Sequence, residues 1–160
     1  LAINLDGGGP LFYREKRVGK GGKEFLITKF RSMTTHPDLE KRQVTRVGKF
    51  LRKTRIDELP QIFSVIRGVQ SLVGPRPERP EYVKIYREQI DYYDARHLIT
   101  PGLSGWAQLY QSNHPHFKPG VEETSVKLSY DLYYIKHRSL MLDLTIALKT
   151  IKTLLSRTGI

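Results

Sequence analysis

Residues 52 to 61, RKTRIDELPQ, hold the densest chemistry in this sequence: Arg52, Lys53 and Arg55 precede two adjacent carboxylates, Asp57 and Glu58, and a proline follows at position 60. Adjacent carboxylates among cations can hold a divalent cation such as Mg²⁺, or one of them can attack phosphorus as a nucleophile. A plainer account exists beside this one. Leu59, Ile62, Phe63 and Ile66 recur at i, i+3, i+4 and i+7, the apolar stripe of a helix, and Gly68 suits the position just past its end. On that account Asp57 is an N-cap, Glu58 is favoured by the helix dipole, and Pro60 sits where its missing N–H is harmless. The cations exceed what capping requires, because Lys49 and Arg67 add to the three in the quoted stretch. A helix N-terminus attracts anions and guanidinium groups grip phosphate bidentately, so the segment over 57 to 67 also reads as a phosphate site with carboxylates inside it.

Other elements must position this segment. In SLVGPRPERPE, residues 71 to 81, Pro75, Pro77 and Pro80 stiffen an extended backbone from which Arg76 and Arg79 project, either as anion-holding groups or as surface arginines on a linker. Upstream, residues 10 to 33 read as a short basic β-hairpin, with Gly19, Gly21 and Gly22 supplying the turn. Its GKGGK string lacks the GxxxxGK[ST] spacing of a phosphate loop and leads into Glu24-Phe25-Leu26-Ile27 instead of a helix. Residues 34 to 45 are polar and aperiodic, a connecting loop. TPGLSGWAQLYQ, residues 100 to 111, is a Pro-Gly-rich loop around the only tryptophan, a packing anchor, and His114 and His116 beyond it lack a carboxylate at ligand spacing. Residues 124 to 157 turn helical, with Leu128, Leu132 and Ile135 on one face, a weak point at Arg138-Ser139, and a second stripe of Leu144, Leu148, Ile151 and Leu155. Lys149 and Lys152 lie off that stripe, so the last helix either packs on the core or lies in a membrane interface.

At 160 residues with 39% hydrophobic content the chain can enclose one core, and no run of about 18 apolar residues is present to span a bilayer. The absence of cysteine removes disulfides and thiolate metal sites. A net charge of +11 implies a polyanionic partner: nucleic acid, an anionic membrane surface or a phosphorylated substrate. No RNP, zinc-finger or helix-turn-helix signature supports the first of these.

Five motifs in one order, KFRSM (29 to 33), RKxxxDELPQ, SLVGPRPERPE, TPGLSGWAQ and KLSYDLYYIKHRSLMLDL (127 to 144), resemble the bacterial sugar transferases, the monotopic polyprenyl-phosphate phosphoglycosyl transferases of capsule, exopolysaccharide and glycoprotein assembly. The resemblance runs from about Pro10 to the C-terminus. It implies a single α+β domain, mainly helical, with a basic hairpin and interfacial amphipathic helices, at the cytoplasmic face of the bacterial inner membrane. It also implies the reaction: an aspartate attacks a nucleoside diphosphate sugar, retains the sugar phosphate covalently, and passes it to polyprenyl (undecaprenyl) phosphate. Asp57 matches the family nucleophile, and Glu58 its partner in catalysis and in holding Mg²⁺. Lys29, Arg52 and Arg76 match cations of the site. The substrate-binding set expected on these grounds is Lys29, Arg31, Arg52, Arg55, Gln61, Arg76 and Arg79, with anionic lipids and a further copy of the chain as other partners and no nucleic acid.

Departures leave the sugar open: Val69 and Gln70 stand where an acidic residue and Met are usual, Ser64 where Asn is frequent, and Leu109-Tyr110-Gln111-Ser112 follow GWAQ in place of Val-Asn-Gly. The family's re-entrant membrane helix would lie upstream of Leu1, so the native protein is expected to be longer. The alternatives are a non-enzymatic basic module that binds nucleic acid and a peripheral membrane scaffold without activity.

Overall fold

The glycine turn of the basic segment closes the expected hairpin. In the computed structural model, which describes residues 2–6, 8–38, 41–111 and 120–155, strands Phe12–Val18 (β1) and Glu24–Phe30 (β2) pair antiparallel with Tyr13 opposite Lys29. Gly21 and Gly22 take φ of 66° and 74°, whereas Gly19 stays at −114° and contributes no left-handed angle. Before β1 lies a short helix, Ala2–Leu5 (α1). The base of the polar loop after β2 is closed by a bridge between Met33 and Val44.

A helix not foreseen, Arg46–Thr54 (α2), follows Thr45, whose hydroxyl accepts from the Gly48 amide at 3.0 Å. Arg55 ends it in a left-handed conformation, φ 57°, a setting that costs a non-glycine residue about 1 kcal/mol or more. The chain reverses there into a 3₁₀ helix, Ile56–Gln61, followed by Ile62–Ile66 (α3) and by Gly68 at φ 74°, the expected closing glycine.

Two expectations for this segment are corrected. The helix over 57 to 67 is a 3₁₀ turn joined to a short α-helix, and Asp57 lies inside the first turn with Arg55 at the cap position. The apolar stripe, whose side the sequence left open, faces outward. Leu59, Ile62, Phe63 and Ile66 are 60%, 43%, 62% and 75% exposed, while Asp57, Gln61 and Ser64 are buried. The amphipathic pattern is inverted, with polar groups inward and apolar groups toward the outside.

Strand Ser71–Val73 (β3) pairs in parallel with Gly102–Ser104 (β4), joining the SLVGPRP and TPGLSGW segments backbone to backbone. A Cβ on Gly102 would lie 2.1 Å from the Gly74 amide nitrogen, so only glycine permits this approach. Pro80 begins the helix Pro80–Gln89 (α4), so the extended strut ends at residue 79. A 3₁₀ helix, Tyr93–Leu98, then leads toward β4 and the helix Trp106–Tyr110 (α5).

Helices Val121–His137 (α6) and Leu140–Leu155 (α7) meet at the expected break near Arg138 and Ser139, although α6 begins three residues before 124. Val18, Val83, Tyr86, Ile90, Tyr93 and Leu128 form one core cluster, and Val73, Tyr134 and Ile146 a second, on which Trp106 packs. On α7 it is Ile146 that points inward, while Leu144, Leu148 and Ile151 are about half exposed. The chain is α+β and mainly helical, as expected. Among the described residues no helix is long and apolar enough to cross a membrane. His114 and His116 lie outside the described residues.

Candidate active site

Glu58 is the electrostatic centre of the site. Lys29 Nζ, on β2, donates to Glu58 Oε1 at 2.6 Å, and Arg76 Nη2, on the proline strut, donates to the same oxygen at 2.8 Å. Burial pushes the Glu58 carboxyl upward, but Arg76 and Lys29 outweigh it and hold the group well below the usual carboxylate range. The Lys29 pKa is lowered too, by burial and by Arg76, with Glu58 opposing both.

Asp57 has the opposite character. It is 7% exposed, its Oδ1 is buried without a hydrogen-bond partner, and burial together with the Glu58 charge raises its pKa against the pull of Lys29, Arg55 and Arg52. A buried carboxylate oxygen left unpaired is costly unless it has work to do. The result is a pair split by environment: one carboxylate clamped and ionised, its neighbour poorly solvated and unengaged. Arg52 and Arg55 act on Asp57 through space from the exposed end of α2 and the reversal after it. Lys29, Gln61, Gln70, Arg76, Pro77 and Gly102 line a small cleft beside the pair, and Gln70 Nε2 donates to Gln61 Oε1 at 3.1 Å across its wall.

A family model described as bacterial sugar transferase matches residues 1–157. Relatives agree with it. The UDP-N-acetylgalactosamine-undecaprenyl-phosphate N-acetylgalactosaminephosphotransferase of Aeromonas hydrophila is 44% identical over 99% of this chain and 38% of its own length. The UDP-glucose:undecaprenyl-phosphate glucose-1-phosphate transferase of Xanthomonas campestris pv. campestris is 38% identical over 94% of this chain and 32% of its own length. An uncharacterized sugar transferase of Bacillus subtilis, EpsL, is 35% identical over 99% of this chain and 76% of its own length. The chain belongs to the bacterial sugar transferase family. It spans about a third of the length of the first two relatives.

Within this member of the family, two of the expected substrate-binding residues are engaged elsewhere. Arg31 is buried and donates to three backbone carbonyls, those of Ile3, Pro10 and Met33, so its whole fork ties the N-terminal segment to β2. Arg79 is paired with Glu15 at 2.6 Å and lies over the Tyr82 ring, away from Glu58. The strut's two arginines thus serve different partners, Arg76 the carboxylate of Glu58 and Arg79 that of Glu15.

The sequence reading missed the groups that hold the strut. Arg17 Nη1 donates to the Pro77 carbonyl at 3.2 Å, and Arg96 Nη2 to the Arg76 carbonyl at 2.7 Å. Below them Glu78 pairs with Lys127 and Arg96 with Asp131. The available signal was Lys127 and Asp131 at i, i+4 on the helical face that also carries Leu128.

These contacts predict unequal arginines. Changing Arg76 to Lys keeps the charge but removes the planar fork, and should lower kcat/KM in the transfer reaction proposed below by about 1 to 3 kcal/mol. Arg79→Lys should change it by less than about 0.5 kcal/mol. Equal losses at both positions would mean that the Glu58 contact carries no special weight.

Proposed function

We propose that this chain is the catalytic domain of a phosphoglycosyl transferase that moves a sugar phosphate from a nucleoside diphosphate sugar to polyprenyl phosphate, the first membrane step in polysaccharide or glycoconjugate assembly. The observation that carries the reading is the unpaired Oδ1 of buried Asp57 beside a Glu58 clamped by Lys29 and Arg76. The relatives' names, which pair a UDP-sugar with undecaprenyl phosphate, support the two substrates.

In the first step an Asp57 carboxylate oxygen attacks the phosphorus that bears the sugar. The bond from that phosphorus to the bridging oxygen breaks, nucleoside monophosphate departs with the electron pair, and an aspartyl phosphosugar remains. In the second step a phosphate oxygen of the polyprenyl phosphate attacks the same phosphorus, forming a polyprenyl diphosphate sugar and returning Asp57 as carboxylate. Poor solvation leaves Asp57 reactive, while Arg52, Arg55 and Arg76 offset the repulsion between carboxylate and diphosphate.

Mg²⁺ fits the donor set. It is commonly held by one or two carboxylates plus substrate phosphates, and Asp57 presents a free buried oxygen next to Glu58. Among the described residues no group of three side chains converges as a closed cage, so Asp57 and Glu58 would hold the ion together with phosphate oxygens. When bound, the ion supplies charge neutralisation at the diphosphate.

The test is isotope exchange. With Mg²⁺ and a panel of UDP-sugars but no lipid acceptor, labelled UMP should return into the donor, and the intact mass of the chain should rise by one sugar phosphate located on Asp57. Turnover that requires both substrates at once, with no exchange, would overturn the covalent step.

The inverted turn supports placement at a lipid surface, the cytoplasmic face of the bacterial inner membrane. Leu59, Ile62, Phe63 and Ile66 project outward beside the site, and Leu140, Met141, Leu144, Leu148 and Ile151 are exposed along α7, with Lys149 and Lys152 exposed among them. Apolar side chains that enter the headgroup boundary contribute about 1.5 to 3 kcal/mol each when fully buried, and basic residues about 1 kcal/mol each at an anionic surface. Flotation with anionic vesicles should therefore carry the chain upward. Changing Phe63 and Ile66 together to Gln should reduce the bound fraction at least about tenfold with an unchanged circular dichroism spectrum. Full binding by that double variant would place the lipid contact elsewhere.

A further inference from the structure

Beneath residues 75 to 78 lies a buried charged group that the proposed chemistry does not use. Arg96 and Asp131, each with 2% side-chain exposure, are paired at 2.8 Å, and Lys127 pairs with Glu78, whose carboxylate lies 3.9 Å from Arg96. Two cations and two anions cancel. Stability alone is a weak reason for such a group, because well-packed apolar residues often replace buried ion pairs without loss.

The strut itself shows what the group accomplishes. Prolines 75 and 77 have no N–H, so the backbone there cannot be held through those donors. It is held through four consecutive acceptors instead. The Pro75 carbonyl accepts from the Gly102 amide at 3.0 Å and the Glu78 carbonyl from the Val18 amide at 2.9 Å. Between them the Pro77 carbonyl accepts from Arg17, and the Arg76 carbonyl from Arg96. Arg96 is fixed in turn by Asp131 and by Tyr93, to whose hydroxyl Nη1 donates at 2.7 Å and over whose ring the guanidinium lies.

We propose that Arg96 is a positioning residue for Arg76: by gripping the carbonyl of residue 76 it sets the direction in which the Arg76 side chain leaves the strut, and so the seat of its guanidinium on Glu58. The turnover arm of the test rests on the transfer reading above. Arg96→Lys keeps a cation opposite Asp131 but cannot also span the Arg76 carbonyl and the Tyr93 hydroxyl. Misplacing a binding group by about 1 Å can cost about 100-fold in rate, and that is the loss expected in kcat/KM for a UDP-sugar. In an Arg76→Lys background the same change should cost less than about threefold, since the group it serves is already altered.

A second readout needs no turnover. The Arg76 Nε–H signal in a nitrogen-15 NMR spectrum, identified by its loss in Arg76→Lys, should shift in Arg96→Lys. Tyr93→Phe, which removes only the hydroxyl that steadies Arg96, should shift it less in the same direction and serves if Arg96→Lys does not fold. Equal rate losses in both backgrounds, or an Arg76 signal that stays in place, would overturn the proposal. If the unmodified chain turns over no donor, the transfer reading fails and the NMR arm still decides the role of Arg96.

Discussion

Replacing Asp57 by Asn should abolish sugar-phosphate transfer while leaving the fold as stable as before or more so. The two halves have one cause. Asp57 is a carboxylate held where its charge is poorly solvated, with one oxygen unpaired, so ionisation works against folding. An acid whose folded pKa is raised contributes most below its unfolded pKa, and the contribution is lost as pH rises through the folded value. At neutral pH the ionised group is therefore a liability, and the isosteric amide removes it. Activity moves the other way, because on the proposed mechanism an amide cannot replace the carboxylate nucleophile, and kcat should fall by roughly four orders of magnitude or more. Thermal melting and UMP release on the same preparation separate the two effects. Near-normal turnover would return Asp57 to the role of an ordinary helix-start residue.

Glu78→Gln should have the largest effect on stability. Burial raises this carboxyl, but Lys127, Arg96 and Arg17 together bring it down to about 2 from an ordinary 4.5, a difference worth about 3 kcal/mol. The change leaves Lys127 and Arg96 sharing Asp131 alone, and breaking a buried pair in this way costs about 3 to 5 kcal/mol. For a domain of this size the melting temperature should fall by about 6 to 20 °C at pH 7. The sign with pH is fixed as well. A depressed carboxyl contributes fully above 4.5 and loses its contribution as pH falls toward 2, so the gap between the two proteins should close across that window. A gap that stayed constant with pH, or no gap at pH 7, would mean that the glutamate is not ionised in the fold.

The parts of this site that were legible in the sequence are those written in neighbouring residues. The adjacent Asp57 and Glu58, the stiff Pro-x-Pro around Arg76 and the hairpin glycines each carry their meaning within a few positions. What was not legible depends on partners far along the chain. Arg31 and Arg76 are both arginines in conspicuous motifs, yet one serves backbone carbonyls and the other a carboxylate, which only the folded arrangement decides. The apolar stripe from Leu59 to Ile66 had a legible period but no legible side, because periodicity reports that two faces differ and not which one the core receives. Lys127 and Asp131 were hidden for a related reason: charges on an inward face look like surface charges until their counter-ions, Glu78 and Arg96, are in place.

The outward apolar turn has a consequence for kinetics. If the turn sits in a lipid boundary as proposed, a catalytic element seated by Leu59, Ile62, Phe63 and Ile66 would meet a lipid-borne acceptor by lateral diffusion within two dimensions, while the water-soluble donor would arrive from the third. The acceptor's effective concentration is then its mole fraction in the bilayer, not its amount per litre. Adding inert phospholipid at constant total acceptor would slow the second half-reaction and leave the first untouched. On that placement, the side of the turn that faces away from the chemistry would set the units in which one substrate is counted.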